Sequence, residues 1–458
     1  MNRASYWLLI IFSVAIPIAI WIDIFRANYR WQLLPAIIAS SIVLLLWRSR
    51  PKSRLQFSLW LLAAIVAVIG FVAAAACSYL YPLFTLPVPT GRYAVGTTAI
   101  DLVDPARWER CDPTTKSHRE LVVQVWYPAI SNYGDRAPYL PDRRSIPKGA
   151  FSHLGLIKTN AVRDVAIAPP TAAPYPIVLY TPSWSGYRTD NTFQTEELAS
   201  HGYVVIGLEH PCSVPMAIYP SGRVIHSNLS SDYTSSDAAL ATLLRVGEEQ
   251  LSLRTQDIQF VLNRLPQISQ HELLHGALDL QQIGIFGHSF GGAAAAEACA
   301  VDRRLKAGMN MDGLLFGSAA QHGAAQPFFF MQSDYSRPTA AELKSTDGSF
   351  RRSKQTDEWG YQQRDRWFQK WGGENLTLLG AEHMNFSDLP LRSRIKNGGG
   401  SISPDLAMKI INAYTVAFFD RELKGKQSPL FSDTTTNVDR LRSGSPFPEV
   451  IFEQHLKP

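Results

Sequence analysis

The chain has 458 residues, 46% of them hydrophobic and 18% charged, a composition that excludes an intrinsically disordered protein. Its formal net charge is +5, but residues 1–92 carry eight Lys/Arg and one acid, Asp23, so the remainder of the chain is slightly acidic. Because the basicity belongs to the first part of the chain, we expect no nucleic-acid partner.

The first 85 residues contain three apolar runs, Trp7–Ile24, Leu33–Trp47 and Phe57–Leu80. The first and third are long enough to cross a bilayer, whereas the second is short. None has the amphipathic spacing of a core helix, and no small-residue cleavage site follows the first run. The sequence therefore predicts a membrane anchor with three transmembrane helices over residues 1–85, followed by a catalytic domain over 86–458.

The charges between these runs predict an orientation in the membrane. Four basic residues lie between the second and third runs, and two lie between the first and second: Arg48, Arg50, Lys52 and Arg54, against Arg26 and Arg30. Loops rich in Lys and Arg stay in the cytoplasm. We therefore expect a multi-pass protein of the cell membrane whose large C-terminal domain is extracytoplasmic.

From residue 86 onward, apolar segments typical of strands alternate with segments of helical spacing. Strands are predicted at 121–128, 176–182, 203–210, 282–289, 306–312, 327–334 and 376–379, and helices at 195–201, 235–265, 291–300 and 404–423. Repeated strand-then-helix order is typical of a mostly parallel sheet with helices on both faces. The predicted fold class is therefore α/β.

The four cysteines have no spacing that indicates a metal site, so we expect neither a metal nor another cofactor. Cys77 falls in an apolar run. A bridge between Cys111 and Cys212 would require an oxidising compartment. Free buried thiols are the alternative.

The strongest chemical motif is Gly287-His288-Ser289-Phe290-Gly291, a G-x-S-x-G. It follows an apolar strand and precedes a helix, which is the context of a nucleophile on a sharp strand-to-helix turn. Glycine two residues before and after the serine avoids a Cβ where the backbone is crowded. The motif predicts Ser289 as a catalytic nucleophile.

A serine nucleophile needs a base and an acid, which in hydrolases with such a turn follow in the order Ser, acid, His. Of the later histidines, His383 follows a strand, whereas His322 lies in a small-residue loop and His455 is near the chain end. His383 is therefore the predicted base. Asp312 and Asp334 each end a predicted strand, and spacing alone leaves both open as the acid.

A tetrahedral oxyanion needs two backbone donors. The N–H of Phe290 directly follows the nucleophile, and the second donor should come from the loop after strand 176–182, where Pro182 has no N–H and Trp184 is the candidate. Glu209 and His210 precede the serine, the wrong order for this chemistry, so we interpret them as structural.

Four segments resemble platelet-activating factor acetylhydrolase of the plasma type: YRTDNTFQTEELASHGYVVIGLEH, IGIFGHSFGGAAAAEACAVDRRLKAGMNMDGLLFG, PFFFMQSDYS and GAEHMNFSDLPL. The resemblance covers about residues 86–425 and suggests a bacterial, membrane-anchored relative with the α/β-hydrolase fold. It implies a calcium-independent hydrolase of short or oxidised sn-2 acyl groups on phospholipids. It also implies Asp312 as the acid and Trp184 as the second oxyanion donor, although Pro182-Ser183 replaces the family's histidine–glycine pair.

Two other functions fit the same residues. The first is a cutinase- or lipase-like carboxylesterase of different specificity, since the triad does not define the ester. The second is a membrane-held hydrolase-like protein that binds without catalysis. The expected partners are a lipid or other ester substrate and the membrane, and the sequence predicts no particular oligomeric state.

Overall fold

A computed structural model describes residues 30–49, 51–110, 116–140, 142–145, 149–219, 221–226, 240–395, 399–431 and 446–456. The chain divides into two compact units. One comprises Met1–Thr85, Pro138–Thr159 and Leu389–Asn397, and the other comprises Leu86–Ala137, Asn160–Asp388 and Gly398–Pro458.

The first unit contains a hairpin of two apolar helices, α1 (Leu34–Arg48) and α2 (Arg54–Leu80). The helices approach closely where α2 has a glycine: a Cβ on Gly70 would lie 2.8 Å from the carbonyl oxygen of Pro35. Small residues at such a crossing let two helix backbones pack tightly. Both helices, α1 together with the short turn before it, are long and apolar enough to cross a membrane.

These helices correspond to the second and third apolar runs of the sequence. The run Trp7–Ile24 lies outside the described residues, so the structure describes two of the three predicted transmembrane helices. Cys111 also lies outside the described residues. Cys212 is disulfide-bonded, and Cys77 and Cys299 are free.

The second unit is built on a mixed, mostly parallel sheet. Eleven strands follow one another in the order β13-β12-β11-β10-β9-β5-β6-β2-β1-β4-β3. The strands, with the separate β7–β8 hairpin, are β1 Ala94–Trp108, β2 His118–Ala129, β3 Arg136–Pro138, β4 Lys158–Arg163, β5 Tyr175–Thr181, β6 Val204–Leu208, β7 Met216–Ile218, β8 Val224–His226, β9 Leu278–His288, β10 Leu305–Met311, β11 Phe328–Ser333, β12 Gly373–Leu378 and β13 Val450–His455.

The six central strands, from β12 to β6, are parallel, and antiparallel pairing occurs at β12–β13, β6–β2 and β2–β1. Strand β5 is buried at every residue, as expected of a strand covered on both faces. The carboxyl ends of these parallel strands share one edge of the sheet, and α/β sheets place ligands outside that edge.

The remaining helices are α3 Thr192–Ser200, α4 Leu240–Ser269, α5 Phe290–Val301, α6 Gly317–His322, α7 Gly348–Trp371 and α8 Pro404–Lys424. Successive residues of β9 point to opposite faces. Ile285 packs in the core cluster shared with α4 and α5, whereas the Phe286 ring lies 6.4 Å from the Phe419 ring of α8. The sheet is therefore covered on both sides, which confirms the predicted layered α/β architecture.

Eight strands and helices were not predicted: β1, β3, β4, β7, β8, β13, α6 and α7. Strand β1 interrupts its apolar residues with Asp101, Asp104 and Pro105, and it pairs near the far edge of the sheet. Helix α7 carries charged or polar residues at most positions, which hides its buried stripe of Trp367 and Phe368. Strand β1 obtains its burial from the long antiparallel ladder with β2, and α7 obtains its burial from residues remote in sequence, such as Phe328 and Phe330. Neither kind of burial is visible in the local pattern of the element itself.

Candidate active site

Ser289 lies on the sharp turn between β9 and α5. Its φ is 57° and its ψ is −124°, a left-handed conformation that costs a non-glycine residue free energy. The turn is held by the backbone, because the N–H of Ser289 donates to the carbonyl oxygen of Met311 at 2.8 Å. The hydroxyl is thereby presented at the carboxyl edge of the sheet, at the start of a helix whose positive end favours negative charge.

The glycines on either side of Ser289 are required by close backbone approach. A Cβ on Gly291 would lie 2.0 Å from the carbonyl oxygen of Thr181, and one on Gly287 would lie 2.3 Å from the carbonyl oxygen of Gly291. Both distances fall inside van der Waals contact with main-chain atoms. The two glycines therefore allow α5 to begin directly against the end of β5.

The imidazole of His383 lies between Ser289 and Asp312. Its Nε2 is 2.9 Å from the Ser289 hydroxyl oxygen, and its Nδ1 is 2.7 Å from a carboxylate oxygen of Asp312. His383 begins a short 3₁₀ turn (His383–Phe386), and Glu382 and Asn385 form a capping box there. The structure thus brings together three predicted site residues from turns after three different strands.

Asp312 is held firmly at the end of β10. Its second carboxylate oxygen accepts hydrogen bonds from the N–H of Ser333 at 2.9 Å and from the Ser333 hydroxyl at 2.7 Å. Burial alone would raise the pKa of Asp312, but the hydrogen bond to His383, the charge of that imidazole and the two donors of Ser333 lower the pKa to about 2. The carboxylate is therefore ionised at neutral pH.

Asp334, the other candidate acid, makes different contacts. It is exposed, and its carboxylate accepts a hydrogen bond from the N–H of Gly380 at 2.9 Å. It therefore ties the turn before His383 to the end of β11. Of the two carboxylates, it is Asp312 that lies against the imidazole.

His288 contacts His383 through a hydrogen bond and through its ring. Its Nε2 donates to the carbonyl oxygen of His383 at 2.9 Å, and the two rings lie 4.7 Å apart. Burial, and then the positive charge available to His383, lower the pKa of His288 to about 3. His288 is therefore a neutral donor that fixes the backbone of its neighbour, a role that the motif did not predict.

The three side chains open into a cavity of about 590 Å³. One part of its lining is apolar, and the other part consists of polar residues, mostly from α7. The apolar residues are Trp184, Leu243, Leu314, Leu315, Phe316 and Phe330, and the polar ones include Lys354, Asp357, Tyr361 and Arg364. Sequence reasoning missed the contribution of α7; Asp347, which caps its first turn, and Gly372, which ends it, were the available signals.

The two residues expected to donate to an oxyanion, Phe290 and Trp184, both line the cavity that contains Ser289. Phe290 is the first residue of α5, so its N–H has no hydrogen-bond acceptor within the helix. Trp184 lines the same cavity as Ser289, and its ring packs against that of Phe290 with centroids 4.5 Å apart. A group bonded to the Ser289 oxygen would therefore lie in the same cavity as Phe290 and Trp184.

Glu209 and His210 take part in a buried charge network. Glu209 pairs with Arg188 at 2.7 Å, and His210 lies between the Thr181 hydroxyl at 3.0 Å and Asp257 at 2.9 Å. His210 has no exposed surface, so no substrate reaches this second Thr–His–Asp series. The burial of His210 agrees with the interpretation of Glu209 and His210 as structural residues.

The two other late histidines lie in different surroundings. His322 is the last residue of α6. His455, in β13, stacks on Phe368 of α7 with ring centroids 4.1 Å apart. Within the described ranges, no group of three or more His, Cys, Asp or Glu side chains is arranged to hold a metal ion.

Known proteins resemble this chain over most of its length. Residues 84–438 match the model of the family described as platelet-activating factor acetylhydrolase, isoform II. A probable 1-alkyl-2-acetylglycerophosphocholine esterase of Arthroderma benhamiae is 24% identical over 424 residues, which cover 84% of this chain and 98% of that protein. A platelet-activating factor acetylhydrolase of Cavia porcellus is 24% identical over 74% of this chain and 78% of its own length.

Among solved structures, a ferulic acid esterase from Streptomyces cinnamoneus has a similar fold. It superposes with a TM-score of 0.63 and 27% sequence identity, covering 80% of this chain and 98% of its own. Together with the sheet order and the helices on both faces, this similarity confirms the α/β-hydrolase fold expected from the sequence.

Proposed function

Because the chain belongs to the platelet-activating factor acetylhydrolase isoform II family, we propose that it is a serine ester hydrolase acting on phospholipid-like esters. The observation that carries the proposal is the unbroken hydrogen-bonded series from Ser289 through His383 to Asp312, within one cavity. A hydroxyl, an imidazole and an ionised carboxylate at these distances form the arrangement that activates a serine for acyl transfer.

The reaction begins when Nε2 of His383 takes the proton of the Ser289 hydroxyl and the oxygen attacks the ester carbonyl carbon. The tetrahedral oxyanion is stabilised by the N–H groups of Phe290 and Trp184. The carbon–oxygen bond to the leaving alcohol then breaks, and His383 returns the proton to that alcohol. Water, deprotonated by the same imidazole, releases the acid from the acyl-enzyme.

Asp312 has two tasks in this scheme. By accepting from Nδ1 it keeps the other ring nitrogen, Nε2, free to accept the serine proton. Its negative charge also stabilises the imidazolium that forms when the proton moves. The two donors of Ser333 keep the carboxylate ionised and oriented, so it can act without changing its own protonation state.

For the substrate, we propose a phospholipid with a short or oxidised sn-2 acyl group. The names of the Arthroderma and Cavia relatives, a probable 1-alkyl-2-acetylglycerophosphocholine esterase and a platelet-activating factor acetylhydrolase, support this choice. The cavity supports it as well, because apolar residues near Ser289 suit an acyl chain and charged residues of α7 suit a polar head group. An esterase of different specificity is the second candidate, favoured by the similarity to a ferulic acid esterase.

The experiment uses the full chain purified in detergent, with Ser289→Ala as its matched control. Hydrolysis of 2-acetyl and long-chain phosphatidylcholines, p-nitrophenyl acetate, a triacylglycerol and methyl ferulate would be compared at equal protein concentration. The proposal expects the 2-acetyl phospholipid to give the highest kcat/KM and the variant to lose about three orders of magnitude or more on every ester. Preference for methyl ferulate would favour the second candidate. Equal rates in the variant would reject the serine mechanism.

We also propose that residues 1–85 anchor the enzyme in the cell membrane, with the catalytic domain outside the cytoplasm. Many large apolar side chains of α1 and α2 are exposed, among them Leu44, Leu55 and Val72, and a bilayer would cover them. Tethering would hold the enzyme at the surface of a lipid substrate. Alkaline phosphatase and green fluorescent protein fused after Pro458 would test the topology, since the first is active only outside and the second fluoresces only inside the cytoplasm.

A further inference from the structure

Arg254 is a fully buried cation close to the candidate site. It lies on α4 and does not line the cavity that contains Ser289. Asp257, one turn further along the helix, directs its oxygens to Arg119 and His210. Because burying a charge costs free energy unless the group is hydrogen-bonded, the hydrogen bonds of Arg254 indicate its role in the structure.

The guanidinium holds the loop after β5 on two consecutive carbonyls. One terminal nitrogen donates to the carbonyl oxygen of Pro182, and the other donates to that of Ser183 at 3.0 Å. Nε donates to the hydroxyl of Ser213 at 3.3 Å, and the guanidinium carbon lies 5.0 Å from the ring centre of Phe290. One side chain therefore contacts both regions from which oxyanion donors are expected.

The contact with Ser183 determines the direction of a neighbouring donor. The carbonyl of Ser183 and the N–H of Trp184 belong to one trans, planar peptide unit, so they point in opposite directions. A second bond, from the N–H of Gly186 to the same carbonyl at 3.0 Å, closes a tight turn in which Ser185 has a φ of 58°. These two bonds to its carbonyl oppose rotation of the peptide, and the N–H of Trp184 is directed away from Arg254.

We propose that Arg254 is a positioning residue of the oxyanion hole, which orients the Ser183–Trp184 peptide and supports the Phe290 ring. The inference rests on the proposed function. Arg254 touches neither substrate nor Ser289, and acts only through the loop and the ring. A lysine has a single nitrogen on a flexible stem, so it lacks the planar fork that reaches the two carbonyls from two separate nitrogens.

The test compares Arg254→Lys and Arg254→Met with the wild type, as full chains in detergent. Ser213→Ala is the matched control, since it removes the third contact and leaves both carbonyl bonds. A fluorophosphonate taken to complete labelling counts the folded sites, and kcat and KM for p-nitrophenyl acetate are expressed per labelled site. An alkyl trifluoromethyl ketone, which forms a tetrahedral adduct with the serine oxygen, reports the oxyanion donors directly.

We expect kcat per labelled site to fall by about 30-fold in both Arg254 variants, because the donor is misdirected and not removed. The inhibition constant of the ketone should rise by a similar factor, with KM changing less than about threefold, and Ser213→Ala should stay within about twofold of the wild type. A purely structural residue would reduce the number of labelled sites and leave these constants unchanged.

Unchanged kcat and ketone affinity per labelled site in Arg254→Lys would overturn the proposal, whatever Arg254→Met does. Loss of all labelling in both variants would also overturn it, because Arg254 would then be needed for folding itself. If instead the wild type neither hydrolyses esters nor labels, the proposed function fails, and this result is distinct from the first two.

Discussion

The backbone N–H of Ser289 donates a hydrogen bond to the carbonyl oxygen of Met311 at 2.8 Å, and Met311 is followed directly by Asp312. This bond joins the turn after β9 to the end of the neighbouring strand β10. The serine and the carboxylate both have positive φ, 57° and 55°, so each side chain turns out of its strand at the same edge of the sheet. His383 lies between the two side chains, and the site is assembled from two adjacent strand ends.

Asp312→Asn should separate the two candidate acids. An amide cannot accept from Nδ1 and stabilise an imidazolium as a carboxylate does, so we expect kcat to fall by about 10³- to 10⁴-fold. Asp334→Asn, the control, keeps an amide oxygen that can accept from the N–H of Gly380, and its kcat should stay within about threefold of the wild type. Steady-state kinetics on p-nitrophenyl acetate would measure both, and a larger loss in Asp334→Asn would contradict the assignment.

Gly291→Ala should disrupt the turn itself. Its new Cβ would lie 2.0 Å from the Thr181 carbonyl oxygen, which must move together with β5 or α5. We expect a loss of more than about 2 kcal/mol in the free energy of unfolding, along with most of the activity. At Gly348 the nearest atom to a new Cβ is 3.7 Å away, so Gly348→Ala should be close to neutral. Chemical denaturation of both variants would check this, and equal midpoints would refute it.

Breaking the buried charge network should destabilise the fold. Arg119 donates to Asp257 at 2.6 Å with almost no exposed surface, and Asp257 is also fully buried. Arg119→Met would leave the carboxylate without its main partner, at a cost of about 3 kcal/mol or more. Arg245→Met removes the exposed pair of Arg245 with Glu249 and should cost less than about 1 kcal/mol. Similar melting temperatures for the two variants would argue against the network's importance.

The stability should fall as the pH drops from about 6.5 to 4. Burial lowers the pKa of His210 to about 4, so the folded state keeps it neutral while the unfolded chain takes up a proton below about 6.5. The unfolded state then binds more protons, and linkage predicts a loss of about 3 kcal/mol across this window from His210 alone. The contribution of neutral His210 to the free energy of unfolding is fully present above pH 6.5 and is lost below pH 4.

Denaturation of His210→Gln at several pH values checks this prediction. The variant should be less stable at pH 7 and should show a shallower dependence on pH between 6.5 and 4. His226→Gln, at an exposed position, should keep the slope of the wild type. Parallel curves for the wild type and His210→Gln would mean that another group titrates.

Several features could be predicted from the sequence because they are local. Strand β5 is a continuous apolar segment, and the turn at Ser289 needs glycines within two residues, so both leave a short-range pattern. The three apolar runs likewise stand out by length and composition alone, and two of them are helices in the described residues. The family resemblance rested on such local segments and is confirmed by the family match.

Other features depended on the tertiary structure, because they are choices between distant partners. Asp312 and Asp334 each follow an apolar strand. The turn after β12 carries His383 past the end of β11 to the end of β10, and this path decides that the imidazole meets Asp312. The apolar residues of α7 are few among its many charged and polar ones, so the sequence did not predict this helix, which lines the cavity. In the sequence, Arg254 is one of several charged residues on a helix. Its contact with the loop after β5 is visible only in the tertiary structure. The sequence by itself determined which groups could react, and the packing of remote segments decided which of them meet, because a hydrogen bond depends on distance in space and not on separation along the chain.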